Sequence, residues 1–137
     1  MAVVEELIRK EEDGTLSFGN YKLDIKSKQA DFKHEGDLYK VKTYKKITKL
    51  ERNGLFVYES VPGTAVFNLG YKENELTFDV TGIETAQITL ELEAEKEYEI
   101  YKNDNLLGKM KTNLGGKLIF SLELDEEKSD FIKVVKL

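Results

Sequence analysis

The chain has no cysteine and no tryptophan, and its 137 residues include one histidine and one proline. Without cysteine it can form neither a disulfide nor a thiolate metal site. The one histidine, His34, lies in the polar stretch 33–37, without a second imidazole for a metal or an evident orienting partner for general base catalysis. We therefore interpret it as an ordinary loop histidine. These residue types disfavour an enzyme, and we expect no catalytic residue, no metal and no cofactor.

Signals for membranes and secretion are also missing. No window approaches the roughly 18 apolar residues of a membrane span. The N-terminal residues reach Glu5 and Glu6 without the basic region of a secretory signal. We therefore expect a cytoplasmic protein with no membrane partner.

The 21 basic and 26 acidic residues give a net charge of −5, which disfavours general binding to nucleic acid. Most of the excess negative charge lies in the C-terminal part, where glutamates occupy alternate positions from 91 to 99. Such a row suits calcium or glycoside hydrolysis, but strand alternation already places it on the wet side of two strands. We interpret these carboxylates as a solvated face.

The C-terminal part has the clearest structural pattern, because apolar and polar residues alternate between short turn signals. Asn103-Asp104-Asn105 is typical of a three-residue hairpin turn. The pattern predicts six strands, at 76–80, 86–92, 98–100, 106–110, 118–124 and 130–137. Their spacing is that of a small Ig-like β-sandwich.

The N-terminal part is β-rich but less regular. Asn53-Gly54 between two β-rich runs is a strong hairpin signal. Residues 3–10 fit either a helix or a strand, with the strand favoured, and the polar stretch 20–37 predicts an exposed connection. We expect an all-β fold of two antiparallel β-units, 1–75 and 76–137, the second being the sandwich.

A basic cluster surrounds the predicted hairpin, running from Lys40 to Arg52 with tyrosines interleaved. A regular two-residue loop at Asn53-Gly54 would pair Arg52 with Leu55, Glu51 with Phe56, Leu50 with Val57 and Lys49 with Tyr58. Leu50, Val57 and Leu55 would then form the core-like face. Aromatic rings would then lie among charges on the polar face, an arrangement that suits a sugar, a nucleic-acid strand or a partner protein; packing against another β-unit or under the 20–37 loop is the alternative. The candidate ligand-binding residues are Lys42, Tyr44, Lys49, Phe56, Tyr58 and Glu59.

The runs 37–43, 47–54 and 58–66, with Met-Lys-Thr-Asn-Leu at 110–114, resemble a family of small Firmicutes proteins often labelled endosialidase. The resemblance covers most of the chain. Sialidases typically hold the substrate carboxylate with three arginines, whereas this chain has only Arg9 and Arg52, so the resemblance does not imply a sialidase site. The C-terminal strand pattern is also similar to accessory β-sandwich modules of polysaccharide-degrading enzymes.

These observations predict a non-catalytic interaction or structural module. We expect a protein partner or a second copy of the chain, since exposed sheet edges and a last strand that is apolar on both sides favour association. The alternative is a carbohydrate-binding or carbohydrate-processing accessory module. Nucleic acid is the least favoured partner because of the negative net charge.

Overall fold

The computed structural model describes residues 2–137, and within them it contains thirteen strands and no helix. The all-β prediction is therefore confirmed. No helix of these residues is long and apolar enough to cross a membrane. The strands are β1 Ile8–Lys10, β2 Leu16–Phe18, β3 Ser27–His34, β4 Asp37–Tyr44, β5 Ile47–Arg52, β6 Leu55–Val61, β7 Ala65–Lys72, β8 Glu75–Thr81, β9 Ala86–Glu91, β10 Glu97–Lys102, β11 Asn105–Lys111, β12 Lys117–Leu122 and β13 Asp130–Lys136.

The strands form two antiparallel sheets. The seven-stranded sheet has the order β1-β2-β7-β8-β13-β10-β11, and the six-stranded sheet has the order β12-β9-β6-β5-β4-β3. Buried apolar side chains of both sheets form one hydrophobic cluster, which includes Phe18, Leu50, Tyr58, Phe78, Ile88 and Ile132. Each sheet combines strands from before and after residue 75, so the division predicted there does not coincide with a boundary between sheets.

All six C-terminal strands occur, as β8 to β13. In five of them one face packs into the core and the other is wet, which produces the alternation. The exception is β11, which is at the sheet edge and is exposed except at Gly108. The hairpin between β10 and β11 is shorter than predicted. Asn103 and Asp104 both have positive φ, 50° and 68°, and Asn105 already pairs with Lys102, so the loop has two residues rather than three.

The stretch 20–37 is not the exposed connection that its polarity predicted. It contains β3, which pairs with β4 at the edge of the six-stranded sheet. An edge strand needs few apolar residues, and charged side chains protect it from pairing with other chains. In the segment 3–10, which fitted either a helix or a strand, only Ile8–Lys10 is a strand, and Ile8 pairs with Phe18 in the seven-stranded sheet; residues 3–7 belong to neither a helix nor a strand.

A network of buried hydroxyl groups lies in the core at strands β4 to β6. The Thr43 and Thr48 hydroxyls are 2.8 Å apart, and Thr48 donates to the carbonyl of Thr64 at 2.8 Å. The Thr64 hydroxyl is in turn 2.8 Å from the Tyr58 hydroxyl and 2.7 Å from that of Ser60. Because these polar groups satisfy one another, they can be buried without the cost of lost hydration.

Candidate functional site

The hairpin β5–β6 has the predicted Asn53-Gly54 loop, but its register shifts after two residue pairs. Arg52 pairs with Leu55 and Glu51 with Phe56, as predicted. Beyond them Leu50 pairs with Tyr58, because Val57 is an extra residue in a β-bulge. Side chains alternate between the faces of a strand, so one inserted residue moves every later side chain to the opposite face.

The bulge places Tyr58 in the core rather than on the polar face where the sequence predicted it. Its exposed fraction is 0%. The ring contacts Phe18 and Phe78 edge-on, at centroid distances of 5.3 and 5.9 Å. Leu55, predicted on the core-like face, is 66% exposed instead. Tyr58 is therefore not accessible to a ligand, and its hydroxyl belongs to the buried network.

The other five predicted residues share the outer face of the six-stranded sheet. Lys42 on β4 lies opposite Lys49 on β5, and Lys49 lies opposite Glu59 on β6. Tyr44 follows Lys42 by two residues on β4 and so points to the same side. Phe56 lies near Lys49, whose ammonium is 5.7 Å from the centre of the ring.

The structure adds further lysines to this group. Lys28 on β3 lies opposite Lys42, so Lys28, Lys42 and Lys49 stand directly opposite one another on three neighbouring strands. Lys40 precedes Lys42 by two residues, and the Lys26 ammonium is 5.7 Å from the centre of the Tyr44 ring. We call Lys26, Lys28, Lys40, Lys42 and Lys49 the lysine face.

Most charges of the lysine face have no carboxylate partner. Only Lys49 forms an ion pair within residues 2–137, with Glu51 at 3.8 Å. Burial lowers the pKa of Lys42 below its ordinary value, and repulsion by the four other lysines lowers it further. Like charges directly opposite in a sheet are destabilising. The chain thus concentrates positive charge on one surface although its net charge is −5.

The aromatic rings of this surface already have cations beside them. Phe56 has two lysines beside it, Lys49 and Lys117, and the Lys117 ammonium is 4.5 Å from the centre of the ring. Lys117 also forms an ion pair with Glu91. Tyr44 has Lys26 beside it. The surface therefore presents ammonium groups more than open ring faces, which suits an anionic ligand better than stacking on a sugar.

A groove at one end of the sandwich was not predicted. It has a volume of about 820 Å³ and lies between the sheets, around the hairpins β3–β4, β5–β6 and β7–β8. Tyr39, Tyr71, Arg52 and the predicted residue Phe56 line it. The groove escaped prediction because its walls come from hairpins far apart in the sequence.

His34 also lines this groove, but it is not the loop histidine that the sequence predicted. It is the last residue of β3 and is buried. Its Nε2 lies 3.0 Å from the carbonyl oxygen of Gly14, to which it donates, and its ring contacts Tyr39 edge-on. These contacts give His34 a structural role in joining β3 to the loop before β2.

No family model, curated protein or solved structure matches the chain. The resemblance to the family labelled endosialidase therefore stays a prediction.

Proposed function

We propose that the chain is a non-catalytic interaction module that binds an acidic protein surface through the lysine face. The observation that carries this proposal is the row of Lys28, Lys42 and Lys49, directly opposite one another on three strands. Lys28 and Lys42 have no carboxylate partner among the described residues. A partner that supplies carboxylates relieves the repulsion within the row, so binding recovers free energy that the isolated chain lacks.

An acidic protein surface suits the lysine face better than nucleic acid does. The net charge of −5 repels a long polyanion as a whole, whereas a protein partner presents carboxylates over a limited area. A second copy of the chain offers an exposed carboxylate at Glu95, after β9, and another at Glu97, the first residue of β10, which forms an ion pair with Lys109 at 3.4 Å. Self-association through these groups is one form of the proposed interaction.

Binding to a short glutamate peptide, whose carboxylates cover a limited area, at several salt concentrations tests the proposal. We expect the variant K28Q/K42Q to bind at least tenfold more weakly than the unaltered chain. The matched control K72Q/K111Q removes the same charge from two exposed lysines outside the lysine face, neither of which has an ion pair within residues 2–137. Equal losses in the two variants would show that only net charge matters and would contradict the proposal. Sedimentation at several concentrations then distinguishes a second copy from a different acidic protein.

The groove supports a second candidate function, carbohydrate binding. Its volume lies in the range of ligand sites, about 300–1,000 Å³, and Tyr71, which lines it, is 53% exposed. An exposed tyrosine beside polar groups suits a sugar ring. On a glycan array, Tyr71→Ala should abolish binding and Tyr44→Ala, on the lysine face, should not. Absence of any bound glycan would reject this function.

A further inference from the structure

An unpaired carboxylate lies between two phenylalanines on the outer face of the seven-stranded sheet. Asp79 is in the middle of β8, with Phe67 directly opposite on β7 and Phe131 directly opposite on β13. Neighbouring strands are about 4.8 Å apart, so the two aromatic residues flank the carboxylate with roughly 10 Å between their strands. Phe131 is 37% exposed, and Phe67 and Asp79 are half-buried, so a ligand can reach all three.

Asp79 has no ion pair and no side-chain hydrogen bond within residues 2–137, and the cations of the same face have other partners. The Arg9 Nε donates to Glu11 at 2.9 Å, and its guanidinium carbon lies 5.9 Å from the centre of the Phe67 ring. Lys133 is diagonal to Asp79 in the sheet, but its ammonium lies 5.3 Å from the centre of the Tyr101 ring.

The position of Asp79 costs the isolated chain free energy. Burial raises the pKa of Asp79, and nothing on the sheet offsets this lost hydration. A carboxylate of this kind attracts a cation.

We propose that Asp79 and Phe131 form a binding site for an arginine side chain of a partner protein, next to Phe67, whose ring already has Arg9 beside it. The carboxylate accepts the guanidinium hydrogen bonds, and the Phe131 ring attracts the delocalised cation. A guanidinium fits better than an ammonium because it is planar, stacks on aromatic rings and is more weakly hydrated. This site is independent of the lysine face, since it lies on the other sheet and binds the opposite charge.

An NMR titration of the full chain with N-acetyl-arginine amide tests the site. The neutral analogue N-acetyl-citrulline amide serves as the control probe, since it has nearly the same shape without the charge. We expect millimolar binding of the arginine probe that shifts the amide signals of residues 67, 79 and 131 and lowers the pKa of the Asp79 carboxyl. The citrulline probe should do neither.

Two variants separate this site from general attraction to an acidic chain. Asp79→Asn should weaken binding of the arginine probe at least tenfold, whereas Glu75→Gln, on the same strand and face, should leave it unchanged. Phe131→Leu keeps the carboxylate and the apolar surface but removes a ring, and should weaken binding about threefold. Equal losses in Asp79→Asn and Glu75→Gln, or shifts spread evenly over the exposed glutamates, would overturn the proposal.

Discussion

Shortening Tyr58 tests the bulge at Val57, because the bulge decides whether this side chain lies in the core or in solvent. In a regular hairpin, Tyr58→Ala would remove an exposed ring and change the free energy of unfolding by about 0.5 kcal/mol or less. In the structure the ring is fully buried between Phe18 and Phe78. Its removal should therefore cost about 3–5 kcal/mol, a large part of the roughly 5–15 kcal/mol that stabilises a typical domain.

Tyr58→Phe separates the ring from its hydroxyl. The variant keeps the packing but loses the hydrogen bond to the Thr64 hydroxyl, which retains Ser60 as a partner, so we expect a loss of about 1 kcal/mol. Burial raises the pKa of Tyr58 above its ordinary value of 10.0. The folded state then holds its phenolic proton more tightly than the unfolded state, so stability falls as the pH rises above about 10. Tyr58→Phe should lose less stability in that range.

Urea unfolding followed by circular dichroism measures these changes. Phe56→Ala is the matched control, because Phe56 is two residues away on the outer face, and it should cost about 1 kcal/mol or less. If Tyr58→Ala costs no more than Phe56→Ala, Tyr58 is not in the core and the register with the bulge is wrong.

Three further changes have expected outcomes. K28Q/K42Q should raise the free energy of unfolding by about 0.2–1 kcal/mol, because it removes repulsion across the sheet. Added salt should reduce this gain. A lower free energy of unfolding, measured in urea, would show that these lysines do not repel each other. Since the pKa of Lys42 is lowered in the folded state, the gain should also vanish as the pH approaches 10.5, the ordinary value of lysine. Gly63→Ala should destabilise the chain by about 2 kcal/mol or more, because a Cβ there meets a backbone carbonyl of β4. Gly108→Ala is the control in the same assay. It should be neutral or slightly stabilising, because nothing lies within 4 Å of its new Cβ. Asp79→Asn should raise the melting temperature at pH 7 but not at pH 3. Burial raises the pKa of Asp79 in the folded state, so its negative charge destabilises the fold only as the pH rises above 3.8, the ordinary value of aspartate.

The part of the fold that the sequence predicted best is the part that local rules govern. Alternation located all of β8 to β13, and Asn53-Gly54 located the hairpin β5–β6, because both signals depend on neighbouring residues. The pairing of distant strands depends on the whole chain. Nothing in the run 86–92 indicates that β9 pairs with β6, or that β13 lies between β8 and β10.

The candidate site shows the same limit at smaller scale. Lys42, Tyr44 and Lys49 share a face because they lie on one hairpin, β4–β5, with a regular register. Tyr58 was misplaced because a bulge has no sequence signal as strong as an Asn-Gly turn. Lys28 was missed because its stretch is polar enough to resemble a loop, although an edge strand tolerates the same composition.

The lysine face and Asp79 carry opposite charges on the outer faces of opposite sheets, and this separation makes their energetic costs independent. Packed sheets are about 10 Å apart and the two surfaces point away from each other, so the sites are too distant to couple directly. The combined variant K42Q/D79N should therefore gain stability equal to the sum of the single variants within about 0.5 kcal/mol. It should also lose binding of both the glutamate peptide and the arginine probe. A combined gain well above that sum would show that the two charges attract each other across the sandwich, because each single variant would then lose the same attraction.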